Sequence, residues 1–112
     1  MLSVAQTIIE KIQSSGVYKN HQVTLPEVAS HIGCSQKSVS MAINTCHQIN
    51  FNAFINYLRV EAFKDLVRDP AYQNLSLFGI AQEVGFSSKA SFHRAFKKEC
   101  GVTPSEFLAR QV

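Results

Sequence analysis

The chain has 112 residues and carries eleven lysine and arginine residues against eight aspartate and glutamate residues, for a formal net charge of +3. This length suits one compact domain or two small units with a shared core, and it excludes a large multidomain enzyme. The modest positive charge is compatible with an anionic partner but is far below that of a histone-like arm, so charge alone identifies no function.

The first predicted elements are helices, because apolar residues recur at three- and four-residue spacing and no segment alternates as a half-buried strand does. We expect these helices over residues 2–13, 25–32 and 36–47. A capping box opens the second helix. The Thr24 side chain can accept a hydrogen bond from the backbone N–H of the third helical residue, Glu27, while the Glu27 side chain reaches back to the Thr24 backbone. Ser35 is a good N-cap for the third helix, and Gly16 and Gly33 end the first and second.

The second half of the chain repeats these start and stop signals. Four more helices are predicted over residues 51–68, 77–84, 89–99 and 104–110. Asp69-Pro70 ends the long helix, and residues 71–74 form a linker. Ser76 and Ser88 are the expected N-caps of the next two helices, and Thr103-Pro104-Ser105-Glu106 is a second capping box that opens the last one.

An internal repeat is the most informative feature of the sequence. A shift of 52 residues, with one extra residue in the second turn, superposes Leu25 on Leu77, Ala29 on Ala81, Gly33 on Gly85, Ser35 on Ser88, Ser38 on Ser91, Ala42 on Ala95 and Phe54 on Phe107. A small residue, a glycine turn and an amphipathic second helix are what a helix-turn-helix requires. We therefore predict an all-α chain in three parts: an N-terminal helix and first unit (1–50), a linker helix (51–69), and a second unit with a closing helix (70–112).

The second helix of the second unit has the residues of a DNA-recognition helix. Phe86, Phe92 and Phe96 should form its buried side. The opposite side then carries Lys89, Ala90, Ser91, His93, Arg94, Lys97 and Lys98. Arg94 can make a bidentate contact with a guanine edge, and Ser91 and His93 can offer single hydrogen bonds. Lys97, Lys98 and the backbone amides near Ser87 and Ser88 suit phosphate contacts.

The segment IAQEVGFSSKASFHRAFKK at residues 80–98, followed by GVTPSEF at 101–107, resembles the signature of the AraC/XylS family of bacterial transcription regulators. The resemblance extends more weakly over about Val17 to Ala109. It implies a seven-helix DNA-binding domain, in which two homeodomain-like helix-turn-helix units at the ends of a linker helix address successive major grooves. The predicted linker helix is about 27 Å long at about 1.5 Å per residue. Once the radii of the flanking helices are added, this length is compatible with grooves about 34 Å apart.

The resemblance also implies which residues read bases. In the first unit these are Gln36, Lys37, Ser40 and Met41, and in the second they are Lys89, Ala90, Ser91, His93 and Arg94. The first unit departs from the family pattern, since Met41 stands where the second unit has Arg94 and Asn44 stands where it has Lys97. Asn44 is thus the first unit's expected phosphate contact. Alternatively, Ser40 and Asn44 read base edges, or the first unit contributes by shape and packing.

The expected function is sequence-specific binding of double-stranded DNA in the major groove, with regulation of transcription from bacterial promoters in the cytoplasm. RNA polymerase is the expected protein partner. In this family the domain usually lies at the C-terminus of a longer regulator with a sensor or dimerisation domain. This chain resembles such a domain or a single-domain member. The segments 16–20 and 69–72 look like the membrane-linked subset of the family.

Two other classes of function are alternatives. The chain could be a protein-interaction or dimerisation module with weak or non-specific DNA affinity, served by residues 38–58, which contain no charged side chain. It could also be a cysteine-dependent transferase, although Cys34, Cys46 and Cys100 form no C-x-x-C pair and each is expected to be a buried apolar residue. We expect no enzymatic activity, cofactor, metal or small-molecule site. His21, His31 and His47 should have surface or partly buried structural roles, and Arg59 and Glu61 should serve packing or ion pairing.

Overall fold

The computed structural model describes residues 2–110, and within this range the chain forms seven α-helices and no strand. The helices are α1 (Val4–Ser15), α2 (Leu25–Ile32), α3 (Gln36–His47), α4 (Phe51–Val67), α5 (Leu77–Glu83), α6 (Lys89–Cys100) and α7 (Pro104–Arg110). The all-α prediction is confirmed, and the predicted helix ends lie within about two residues of the observed ones. None of the described helices is long and apolar enough to cross a membrane.

The chain divides inside α4, between Leu58 and Arg59, into two compact units. The first unit contains α1, α2, α3 and the N-terminal half of α4. The second contains the remainder of α4 with α5, α6 and α7. Each therefore holds a helix-turn-helix pair, α2–α3 or α5–α6, together with further helices that pack against it.

Serine side chains start most of the helices, as predicted. The hydroxyls of Ser35, Ser76 and Ser88 each accept a hydrogen bond from the backbone N–H three residues on, at 3.1, 2.9 and 3.1 Å. Ser3 and Gln6 add a capping box at the start of α1 that the sequence pattern had not singled out. Each cap satisfies one of the amides that the first helical turn leaves without a partner.

One of the two predicted capping boxes has a different geometry. At α7 both bonds form, with Thr103 N–H donating to Glu106 Oε1 at 2.9 Å and Glu106 N–H donating to Thr103 Oγ1 at 3.2 Å. At α2 the Glu27 amide lies 3.4 Å from Thr24 Oγ1, and the Glu27 carboxylate accepts from the Thr24 hydroxyl at 2.9 Å instead of from its backbone N–H. The prediction that Glu27 reaches the Thr24 backbone is therefore wrong, because the nearer hydroxyl takes its place.

Two connections hold short 3-10 turns that the sequence did not predict, at Val17–Lys19 and Pro70–Tyr72. The second occupies part of the predicted 71–74 linker. It begins where the Asp69 carboxylate accepts the Ala71 N–H at 2.9 Å. The capping aspartate and the following proline thus end α4 and also order the chain that leaves it.

The core of the first unit lies between α1, the helix-turn-helix pair and the start of α4. Its buried members are Ile8, Ile9, Ile12, Val28, Ala29, Val39, Ala42, Ile43, Phe54 and Leu58. The half-buried His47 ring packs at 5.0 Å from the Phe54 ring and 5.3 Å from the Tyr57 ring, measured between centroids. This agrees with the structural role expected for His47.

The core of the second unit is built around phenylalanine. Its buried members are Val60, Phe63, Ile80, Ala81, Val84, Phe86, Phe92, Ala95 and Phe96. The Phe63 ring of α4 contacts the Phe92 and Phe96 rings of α6, with centroids 4.8 and 5.5 Å apart. These contacts fix which side of α6 faces inward.

Arg59 and Glu61 take part in packing and ion pairing, as expected. The Arg59 guanidinium lies 5.7 Å from the Phe86 ring centroid, and burial lowers its pKa. Glu61 pairs with Lys64 at 2.9 Å.

Cys34 and Cys100 are only half-buried and Cys46 is exposed, so the expectation of three buried thiols is wrong. Cys46 lies one turn beyond the buried Ala42, on an edge of α3 that reaches solvent.

Candidate nucleic-acid interface

The turns of the two helix-turn-helix pairs have equivalent backbone hydrogen bonds. In the first, the Cys34 N–H donates to the Ala29 carbonyl at 2.9 Å. In the second, the Phe86 N–H donates to the Ala81 carbonyl at 3.0 Å. Both alanines are buried, with 3% and 0% exposure, and a larger side chain at either position would push the two helices apart. The repeat in the sequence is therefore a repeat in local structure.

The N-caps of the two second helices match in the same way. The hydroxyls of Ser35 and Ser38 are 2.9 Å apart, and those of Ser88 and Ser91 are 3.0 Å apart. Both caps also accept the amide three residues on, at 3.1 Å. These matched caps set the register, so each residue of α3 corresponds to the residue 53 positions later in α6. Gln48 and Gly101 end the two helices at equivalent positions with φ of 57° and 74°.

The inward faces of α3 and α6 agree in this register. Val39, Ala42 and Ile43 of α3 correspond to Phe92, Ala95 and Phe96 of α6, and all six are buried. The predicted burial of Phe86, Phe92 and Phe96 is confirmed. Because the inward positions correspond, the outward positions of the two helices can be compared residue by residue.

The outward face of α6 is strongly basic. Lys89, Ala90, His93, Arg94, Lys97 and Lys98 are all exposed. Ala90, Arg94 and Lys97 follow at spacings of four and three residues and so form one stripe along the helix. The segment from Phe86 to Lys98 holds four lysine and arginine residues and no acid, whereas the rest of the chain holds seven against eight. The whole positive excess of the protein thus lies in or beside this helix.

Some of the predicted site residues on α6 also have side-chain contacts within the unit, among them His93, whose ring centroid lies 5.7 Å from that of Phe92. The Lys89 ammonium lies 5.9 Å from the Phe78 ring centroid of α5. Ser91 is half-buried, and its hydroxyl accepts a hydrogen bond from the Ser88 hydroxyl at 3.0 Å. Ser87 and Ser88 are exposed beside the first turn of α6, whose leading amides have no intrahelical carbonyl to bond.

The outward face of α3 has the same shape of stripe and a different chemistry. Its predicted site residues Gln36, Lys37, Ser40, Met41 and Asn44 are all exposed. Lys37, Met41 and Asn44 occupy the positions of Ala90, Arg94 and Lys97. Lys37 is the only lysine or arginine in α3. The register also adds Thr45, exposed at the position of Lys98, which the family pattern had not singled out but the 53-residue shift identifies.

Comparison with known proteins gives a consistent family. Residues 28–110 match the family described as a helix-turn-helix domain, of the AraC type. The chain is 31% identical over 88 residues to an uncharacterised HTH-type transcriptional regulator of Staphylococcus aureus (strain COL), covering 79% of this chain and 11% of that protein. It is 30% identical over 83 residues to the regulatory protein PocR of Salmonella typhimurium, covering 74% of this chain and 26% of PocR. The chain thus spans a small part of these curated relatives.

A solved structure supports the same assignment. The C-terminal domain of the two-component response regulator yesN from Fusobacterium nucleatum superposes with a TM-score of 0.68 and 26% identity. The superposition covers 91% of this chain and 94% of that domain. The family match over most of the chain, the two helix-turn-helix pairs and this structural likeness agree, and the chain belongs to the AraC/XylS family of helix-turn-helix transcription regulators.

Proposed function

We propose that this chain binds double-stranded DNA sequence-specifically through the outward faces of α3 and α6, and that it thereby regulates transcription from bacterial promoters. The observation that carries the proposal is the basic outward face of α6, which lies opposite a packed phenylalanine face on the second helix of a helix-turn-helix. In that motif the second helix enters the major groove, where phosphates flank the base edges.

The second unit supplies most of the affinity. Lys97, Lys98 and the free amides beside Ser87 and Ser88 contact phosphates and fix the position of α6 in the groove. Arg94, in the middle of the outward stripe, is free to form a bidentate contact with guanine. The remaining exposed positions contact bases by single hydrogen bonds or apolar contacts, and they are Lys89, Ala90, Ser91 and His93.

The first unit has one cation on its recognition helix and therefore grips phosphates weakly. Lys37 is its charged contact, and Asn44 is a neutral substitute at the phosphate position of Lys97. Gln36 and Ser40 present an amide and a hydroxyl that can bond base edges. The first unit thus adds more to base selection than to the electrostatic part of binding.

Further partners are proposed on the strength of the relatives. The curated relatives are much longer than the matched segment, and the superposed domain is a part of a two-component response regulator. We therefore propose that the domain works within, or together with, a longer regulator that carries a sensor or dimerisation part. RNA polymerase is the proposed partner through which bound protein alters transcription.

The test is the salt dependence of binding to labelled duplex DNA, measured by fluorescence anisotropy. About four to six phosphate contacts should give a log–log slope of about −4 to −5. A double variant, Lys97→Gln with Lys98→Gln, should reduce the magnitude of the slope by about 2. The matched control, Lys11→Gln with Lys19→Gln, removes the same charge from exposed positions outside α3 and α6 and should leave the slope unchanged.

Two results would contradict the proposal. Absent or salt-insensitive binding would favour a protein-interaction module instead. An equal loss of slope in the two double variants would mean that DNA responds to net charge and not to the face of α6.

A further inference from the structure

Met41 is an exposed apolar side chain in the middle of a face that is otherwise polar. It is 58% exposed, on the outward stripe of α3 between Lys37 and Asn44. Its apolar surface is therefore in contact with water, and covering it with an apolar group of a ligand would be favourable.

The register with α6 shows what Met41 would meet. It occupies the position of Arg94, which in the proposed function faces the base edges of the second unit's half-site. The matched caps at Ser35 and Ser88 place both side chains at the same distance from the start of their helices. Met41 should therefore meet a base edge in the first unit's half-site.

The chemistry of the major groove then selects one base. Thymine alone presents an apolar group there, its 5-methyl, whereas guanine, cytosine and adenine present donors and acceptors that a thioether leaves largely unpaired. Methionine is flexible and polarizable, and it adapts to small apolar groups. Contact between the two would remove both from water.

The surroundings of Met41 favour the same ligand over a phosphate. A shallow cavity of about 230 Å³ adjoins it, and no charged side chain lines it. Its other lining residues are the apolar Val4, Ala5, Ile8 and Ala42 and the hydroxyl residues Ser38 and Thr45. Residues 38–58 also contain no charged side chain. Apart from Lys37, this part of the first unit thus provides neutral surface where the second unit provides cations.

We propose, on the basis of the proposed function, that Met41 reads the 5-methyl group of thymine, so that an A·T pair occupies the base position of the first half-site that corresponds to the guanine read by Arg94. The two half-sites would then differ in base composition although the two units share one fold. Met41 would be a specificity-determining residue of the first unit.

The experiment selects bound duplexes from a random DNA pool with the full chain, and then measures affinity for chemically modified duplexes. The wild type should select A·T at one position at which Met41→Arg selects G·C, with the rest of the site unchanged. Replacing that thymine with deoxyuridine removes only the methyl group and should weaken wild-type binding about three- to fivefold. Met41→Gln should show no such effect, whereas the control Arg94→Gln should keep it.

Several results would overturn the proposal. It fails if the wild type and Met41→Gln select the same bases and respond equally to deoxyuridine, or if the wild type binds DNA without base preference. It also fails if Met41→Gln changes self-association in analytical ultracentrifugation and leaves DNA binding unaltered, since the apolar surface would then be a protein interface. If the wild type binds no DNA at all, the proposed function itself fails at that first step.

Discussion

Replacing Arg94 with alanine separates base reading from charge. The Arg94 side chain is exposed on α6, and its guanidinium forms no ion pair or hydrogen bond with other residues in the range 2–110, so its loss should change folding stability by less than about 0.5 kcal/mol. A lost bidentate contact with guanine should cost about 1 to 3 kcal/mol on the selected site. This corresponds to roughly a 5- to 150-fold loss of affinity.

The assay compares affinities for the selected duplex and for a random duplex by fluorescence anisotropy at one salt concentration. Arg68→Ala is the control, because it removes the same charge from an exposed arginine directly after α4 in the same unit, although its guanidinium also lies 5.8 Å from the Phe107 ring centroid. Arg94→Ala should weaken the specific complex much more than the random one, and Arg68→Ala should affect both slightly. An equal loss on both duplexes with Arg94→Ala would refute base reading at this position.

Three predictions concern stability and are checked by urea or thermal unfolding. Gln48→Gly should stabilise the fold by about 0.5 to 1 kcal/mol, because Gln48 has a φ of 57° and glycine adopts this conformation without strain; a loss would mean that the Gln48 side chain has a stabilising contact. Phe63→Ala should cost about 3 to 5 kcal/mol by opening a cavity against Phe92, and a cost below about 1 kcal/mol would contradict the core as described. The hydrogen bond from the Thr103 backbone N–H lowers the pKa of the Glu106 carboxyl. The folding stability that this carboxylate contributes is therefore present above about pH 4.5 and is lost as the pH falls through the lowered pKa. Glu106→Gln should reduce the loss of stability at acid pH, and an unchanged loss would mean that the carboxylate makes no such contribution.

The helices could be predicted closely because their boundaries depend on local chemistry. Ser35 and Ser88 cap the amides three residues on, and Gly33 adopts the left-handed conformation that ends α2. The exposure of Cys46 could not be predicted, since it depends on which edges of α3 other elements cover. The altered bond between Glu27 and Thr24 likewise depends on side-chain geometry that spacing does not determine.

The candidate site also has features that the sequence predicts and features that depend on tertiary contacts. Burial of Phe92 and Phe96 determines which residues of α6 face outward, so periodicity alone was enough to place Arg94 on that face. Tertiary contacts determine how much of each side chain is exposed for binding, and the periodicity of the sequence does not predict these contacts. The position of Lys89 over the ring of Phe78 and the partial burial of Ser91 are two such cases.

The repeat shows how one fold can accommodate two different binding faces. Positions that match between the units are those that fold requires: the buried alanines of the turns and the serine caps of α3 and α6. Outward positions that differ, such as Met41 against Arg94, are exposed, so exchanging them alters little of the core. The outward stripes can therefore differ between the two copies while the fold stays the same. The concentration of positive charge on α6 and the single cation on the outward stripe of α3 follow from this separation, and they predict an asymmetric DNA site.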